Sequence, residues 1–353
     1  MTASRLRSVC LLALLVGGVP AARADQGRIP IFAPATLTQS GSYVLTRDLT
    51  ITSAQSLTIN ADNVTVDLNG HTLSGVGSGA RLIYVVPTYS GIRIENGRLS
   101  GGDYAIYAPT PAGSTLGPDL SLRHLEISGQ TSEAVFVGLA GYFEMTSCTV
   151  KNAASGVHLA SGTVGASVTG RFVGNQIVQV AGNGLMLDGS LSFLVKDNVF
   201  TEIAFNGVVA GNAGGGGAGR GALISRNVFN GAGTSSAAVQ ILANGSLVLD
   251  NVFNGFQRAV DVQSTGNRVA SNLIAWPSGS VTSAIGIEVL PFSGGADRNV
   301  IELNTIKLPN GCGLYFGGGA HDNVYRTNSF RGGSLTNVCD SGTGNLDGGG
   351  NVY

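Results

Sequence analysis

Apolar residues recur along this chain at a fixed spacing. Around seven asparagines, Asn175, Asn198, Asn227, Asn251, Asn272, Asn304 and Asn328, one large apolar residue stands three positions before and another two positions after. The pairs are Phe172/Ile177, Val195/Phe200, Ile224/Phe229, Val248/Phe253, Val269/Ile274, Ile301/Ile306 and Tyr325/Phe330. Upstream the same pairing continues around Arg47, His71, Gly97, Leu125 and Cys148, in the pairs Val44/Leu49, Leu68/Leu73, Ile94/Leu99, Leu122/Ile127 and Met145/Val150. The steps between these twelve anchors vary but average about 25 residues, a period in the range of solenoid repeats.

A second short run follows each anchor by about ten residues: AIYA at 105–108, AVFV at 134–137, GVHL at 156–159, GLML at 184–187 and GVVA at 207–210. AVQI at 238–241, AVDV at 259–262, GIEV at 286–289 and GLYF at 313–316 continue the series. Each alternates as a half-buried strand does. No helical pattern between them is long enough for a βαβ crossover. A helix-free repeat of this length, with two or three short strands, is one coil of a parallel β-helix. The predicted fold is all-β, a solenoid of about twelve coils. At about 4.8 Å per coil it would form a rod on the order of 60 Å long. The asparagine is expected at the bend between two strands, where it tolerates a left-handed backbone and bonds to its copy in the next coil.

The stretches GSYVLTRDLTI (41–51) and INADNVTVDLNGHTLSG (59–75), with the later SRNVFNG units, resemble right-handed parallel β-helix proteins of the pectin-lyase-like superfamily. The resemblance spans nearly the whole chain after residue 24 and implies a single-stranded right-handed parallel β-helix. It implies no single activity, because the superfamily contains lyases, glycosidases, epimerases and binding proteins. Polygalacturonase-like members carry an Asp-Asp pair and Gly-His-Gly; pectate-lyase-like members carry Trp-x-Asp-His and Arg-x-Pro-x-x-Arg. None of these occurs here.

The chain divides into four segments on this reading. Residues 1–24 have a basic start, an apolar stretch and small residues at the end, as in a secretory signal peptide cleaved near Ala24. The apolar stretch is too short to span a bilayer. Residues 25–41 are expected to cap the first end of the solenoid, 42–335 to form the coils, and the Gly-rich 336–353 to finish the second end, since an open sheet end exposes unpaired backbone groups. The expected location is secreted or periplasmic.

Composition narrows the partners. Charged residues are 12% of the chain, and after residue 24 there are 17 basic against 21 acidic side chains. That balance excludes a phosphate-binding face for nucleic acid. No second long apolar run follows, so no membrane span is expected. Cys312 and Cys339, separated by about one coil of sequence, are expected on neighbouring coils as a disulfide. Cys148 reads as a small buried hydrophobe. No Cys/His cluster has zinc spacing. No cofactor is indicated; calcium is raised only by a single DGGGN near the end, which reads better as part of a cap. GNAGGGGAGRG at 211–221 contains G-x-G-x-x-G but opens no helix, so it is read as a loop. His71 takes a coil-bend position and reads as structural.

Candidate chemistry lies on the outward positions of the second strand series. In AVDV the valines point in and the aspartate out. The outward column then runs Tyr107, Phe136, His158, Met186, Val209, Gln240, Asp261, Glu288 and Tyr315. Asp261 and Glu288 should be neighbours about 5 Å apart. One carboxyl of such a pair should have a raised pKa, and the spacing suits a retaining glycosidase. Gln240 and Tyr315 flank the pair, Arg258 lies near it, and Asp188 and His158 share the face. Trp276 opens a long loop, 276–284, leading to Glu288, and could stack on a sugar ring. Against this, any solvated β-face carries polar residues, and fold alone confers no activity. The expected function is binding of a polysaccharide or glycan surface, non-catalytic binding being favoured by the missing motifs and low charge. The alternative is a divergent polysaccharide hydrolase using Asp261 and Glu288. A lyase would need a cation for a substrate carboxylate, and the column offers none.

Overall fold

The computed structural model describes residues 27–52, 56–109, 117–138, 141–160, 167–211, 221–231, 236–276, 284–291, 295–332 and 334–353. Residues 1–24, read as a signal peptide, lie outside them, as does most of the glycine-rich loop. Every regular element among the described residues is a strand. Each coil has three. Leu247–Leu249 bends into Val252–Asn254 and then turns into Arg258–Val262. Each pairs in parallel with its copy one coil on, Arg268–Ala270, Leu273–Ala275 and Ile285–Val289. The molecule is a single-stranded parallel β-helix with three faces. Ile92–Gly101 and Asp119–Ser128 run through the bend and join the first and second faces into one 24-stranded sheet. The third face is a separate sheet of 13 strands.

Both terminal segments take part in the stacking. Ile29–Ile31 and Thr36–Leu37 pair with the coils above them. Ser334–Asp340 pairs with Asn310–Phe316, and Leu346–Asp347 with 324–325.

The period of two explains the interior. All the paired apolar residues that flank the anchors, except Tyr325, are buried, and Tyr325 packs against the core from its edge. Like residues stack coil on coil: Phe200, Phe229 and Phe253 lie in register with ring centroids 4.8 and 5.0 Å apart, and Phe172, from the adjoining face, meets Phe200 at 6.3 Å. Such pairs contribute about 0.5–1.5 kcal/mol each beyond the burial of their area.

The bends are held by an asparagine ladder. Asn175, Asn198, Asn227, Asn251, Asn272, Asn304, Asn328 and Asn351 are stacked. From Asn198 on, each Oδ1 accepts from both the backbone N–H and the side-chain amide of the asparagine one coil earlier, as Asn272 does for Asn251. Cys148 starts the ladder by donating its N–H to Asn175. The backbone role expected of these asparagines belongs to their neighbours. The left-handed residues are those just before, Gly174, Asp197, Arg226, Asp250, Ser271, Leu303 and Thr327. Asparagine is used because a buried bend leaves N–H and C=O groups that only a short amide satisfies from both sides.

A second ladder runs along the corner between the third and first faces, from Ser246 through Asn267, Asn299 and Asn323 to Asn345. Its members stand five residues before the first ladder's asparagines, or six at Asn345. The phrases NRVASN, NVIELN and NVYRTN carry that signal in the sequence.

The third-face strands often start with glycine because the coils approach closely there. A Cβ on Gly156 would lie 2.0 Å from the Gly184 carbonyl oxygen, and one on Gly286 2.5 Å from that of Gly313. Near the second end, Cys312 and Cys339 are disulfide-bonded with Cα atoms 6.2 Å apart. Cys148 is buried, and that burial pushes its thiol up to about 12.

Candidate functional site

The outward column of the third face runs in unbroken register. Tyr84 pairs with Tyr107, Tyr107 with Phe136, Phe136 with His158, His158 with Met186 and Met186 with Val209. Val209, Gln240, Asp261, Glu288 and Tyr315 complete it. Strand Arg81–Val85 adds Tyr84 to the front of the series, and its alternation, RLIYV, is the sequence signal for it.

The first part of the column is aromatic. Tyr84 and Tyr107 stack at 6.2 Å, and Tyr107 and Phe136 at 5.5 Å with planes 25° apart. Tyr104 tilts against Tyr107 at 4.6 Å. The Arg81 guanidinium lies 4.2 Å over the Tyr107 ring. All four rings are half-exposed.

Phe136 meets His158 edge-on at 5.2 Å, and there the column becomes polar. His158 Nε2 lies 3.1 Å from Asp188 Oδ2, and Nδ1 3.6 Å from Glu133 Oε1. The second distance is an ion-pair contact too long for a hydrogen bond, which leaves the buried Nδ1 without an acceptor. Burial alone would push the imidazolium pKa down, but the two carboxylates outweigh it and raise the pKa to about 9. The imidazolium in turn pulls Glu133 down to about 2 against its partial burial. His158 and Asp188 were sequence candidates and the fold brings them together. Glu133 was missed, because it starts its strand, opposite Ser155, and lies off the column.

Asp261 and Glu288 are register neighbours, as their spacing requires. Their setting differs from the solvated one expected: only 1% of Asp261 and 5% of Glu288 is exposed. Gln263 and Gln240 donate to Asp261 Oδ2 at 2.7 and 3.3 Å, while Oδ1 has no partner among the described residues. Arg258 Nε stands 2.8 Å from Glu288 Oε2, with its N–H misdirected for a hydrogen bond. Burial raises the Asp261 pKa, against the amides and Arg258. Burial raises the Glu288 pKa too, and the Asp261 charge adds to it. Gln263, missed in the sequence, lies two residues past Asp261 and turns back onto it.

Tyr315 sits one rung beyond Glu288, half-buried. Trp276 needs a correction. It is 9% exposed and packed within the apolar core, so it presents no ring face to a sugar. The loop that follows it, 277–283, lies outside the described residues. His71 holds Asp48 at 3.2 Å. Asp347, in DGGGN, accepts from Gly349 N–H and Asn351 Nδ2 and closes the last turn. Among the described residues no group of three or more His, Cys, Asp or Glu side chains is arranged so that it could hold a metal ion. A hollow of about 290 Å³ beside Gly91, Arg93, Asp119 and Tyr142 is on the first face, away from the column.

No protein-family model and no curated protein matches the chain. Solved structures do. The A-module of the Azotobacter vinelandii mannuronan C-5 epimerase AlgE4 superposes with a TM-score of 0.57 at 12% identity, over 87% of this chain and 91% of that one. The A-module of AlgE6 from the same organism gives 0.52 at 14% identity, over 89% and 91%. At such identities the likeness is one of fold.

Proposed function

We propose that this protein binds a polysaccharide along the outward column of the third face. The observation that carries the reading is the half-exposed stack of Tyr84, Tyr107 and Phe136 leading in register to His158 with its two carboxylates. The exposed part of such ring surface takes the apolar CH groups of a sugar, and the adjoining polar groups take its hydroxyls. A solenoid repeats these features at about 4.8 Å per coil, a scale on which a linear polymer can be followed. The name of the epimerase modules, which specifies mannuronan, supports a saccharide polymer as the ligand class.

A second reading is hydrolysis by Asp261 and Glu288, favoured by their adjacency and raised pKa values. Their burial favours the first, because substrate must reach both carboxyls for acid–base work. Export is part of the proposal. It rests on the composition of residues 1–24; no helix of the described residues is long and apolar enough to cross a membrane.

The test is a polysaccharide panel, with binding read by affinity electrophoresis and cleavage by reducing ends. Tyr107→Ala and Phe136→Ala are compared with Asp261→Asn and Glu288→Gln. Binding lost in the aromatic variants, with no new reducing ends, supports the column as a binding face. Reducing ends made by the wild type and lost in both acid variants would establish the hydrolase instead.

A further inference from the structure

We infer that the polymer accepted by the third face is an uncharged polysaccharide. The inference rests on the column being the binding face, and it comes from counting charge there. A polyuronate presents one carboxylate per sugar, so a face that follows it needs a cation repeated from coil to coil.

The third face lacks such a series. Its described strands contain no lysine. The three lysines of the chain, Lys151, Lys196 and Lys307, stand on the first and second faces. Two arginines belong to the third-face strands, and they do not form a series from coil to coil: one is taken by a carboxylate and the other is a single charge at the rings. Arg258 is held by Glu288 at 2.8 Å, and Arg81 is spread over Tyr107 at 4.2 Å. The imidazolium of His158 faces two carboxylates, so that cluster is net negative when all three are ionised. The internal segments outside the described residues add, by sequence, one charged side chain, Arg220.

On the same face the carboxylates are Asp261 and Glu288 in the column and Glu133 and Asp188 beside it. A polyanion would meet more negative than positive charge and would gain nothing from screening-sensitive attraction. What the face offers in quantity is ring surface, with Asp188 and the half-exposed Gln240 as hydroxyl partners. These are the groups an uncharged sugar uses. Binding of that kind is driven by area and hydrogen bonds, and is accordingly insensitive to salt.

The experiment is affinity electrophoresis of the full chain through gels containing β-glucan, xylan, galactomannan, polygalacturonate or alginate, at low and high salt. The expected result is retardation by at least one of the three uncharged polymers. It should be unchanged by salt and weakened about tenfold, or about 1.4 kcal/mol, in Tyr107→Ala and Phe136→Ala. The polyuronates should give none. Thermal melting of the variants checks that they are folded. Retardation by a polyuronate that salt weakens and the aromatic variants abolish overturns the uncharged class while leaving the column as the binding face. No retardation by any polymer, or retardation that folded aromatic variants leave intact, overturns the column itself and this inference with it.

Discussion

Asn272 Oδ1 accepts two hydrogen bonds from Asn251, one from its backbone N–H at 2.9 Å and one from its side-chain amide at 3.1 Å. Asn251 repeats the arrangement toward Asn227 and also donates to the Ile224 carbonyl. The ladder thus couples three coils at a bend that is fully buried. Asn251→Ala removes the side chain from four of these bonds and leaves buried donors unpaired. The expected cost is roughly 2–4 kcal/mol, read from the shift in a denaturant midpoint. Asn351→Ala, at the half-buried end of the ladder, should cost clearly less. Equal losses at the two sites would mean the ladder is not acting as a buried network.

The coils were legible because two independent periods agree. Alternation within each strand sets which residues point inward, and the length of the repeat sets which of them stack. The column from Tyr107 to Tyr315 followed from those two facts alone. Burial of the column was not legible. Whether Asp261 faces water depends on Gln240 one coil before it, Gln263 two residues after it and Arg258 three residues before, and those converge only when the register is known. Trp276 misled for a related reason: a lone tryptophan beside a long loop is equally suited to close the core.

Cysteine reactivity separates the disulfide from the buried thiol. Residues 25–353 contain Cys148, Cys312 and Cys339. Cys148 is buried with a thiol pushed up to about 12, so native protein beginning at residue 25 should show no reaction with a thiol reagent at neutral pH. Denatured without reductant it should show one thiol, and after reduction three. The bridge closes a 27-residue separation, and its loss should cost about 3.5 kcal/mol. Three thiols in the unreduced denatured protein would remove it.

The His158 cluster should make stability depend on pH at both ends. His158 is raised from 6.5 to about 9 in the fold. Its contribution is fully present below pH 6.5 and is lost as pH rises through about 9. Glu133 is lowered from 4.5 to about 2. Its contribution is present above pH 4.5 and is lost as pH falls through about 2. Asp188→Asn removes the 3.1 Å partner. The variant should melt below the wild type near neutral pH, with the gap closing above pH 9, and the His158 ring resonance should titrate at a lower pH. A ring pKa unmoved in Asp188→Asn would show that the carboxylate does not hold the imidazolium.

Asp261 should have the opposite effect on stability at neutral pH. Burial raises its pKa, and Gln263, Gln240 and Arg258 only partly offset that. A carboxyl with a raised folded pKa stabilises the fold fully below its unfolded value, about 3.9, and loses that contribution as pH rises through the folded value. At neutral pH that contribution is absent, because ionisation of Asp261 is disfavoured in the fold and favoured in the unfolded chain, and the group lies one coil from Glu288. Asp261→Asn keeps an oxygen for both glutamine amides and removes the charge. The variant should melt above the wild type at pH 7, with the difference shrinking toward zero below pH 4. It should also relieve Glu288 of its charged neighbour and lower that residue's pKa. A variant that melts below the wild type at pH 7 would mean that the Asp261 carboxylate is stabilised as an anion, by Arg258 first of all. The acid pair would then be part of an ion-pair network, and the raised pKa values that favour the hydrolase reading would be gone.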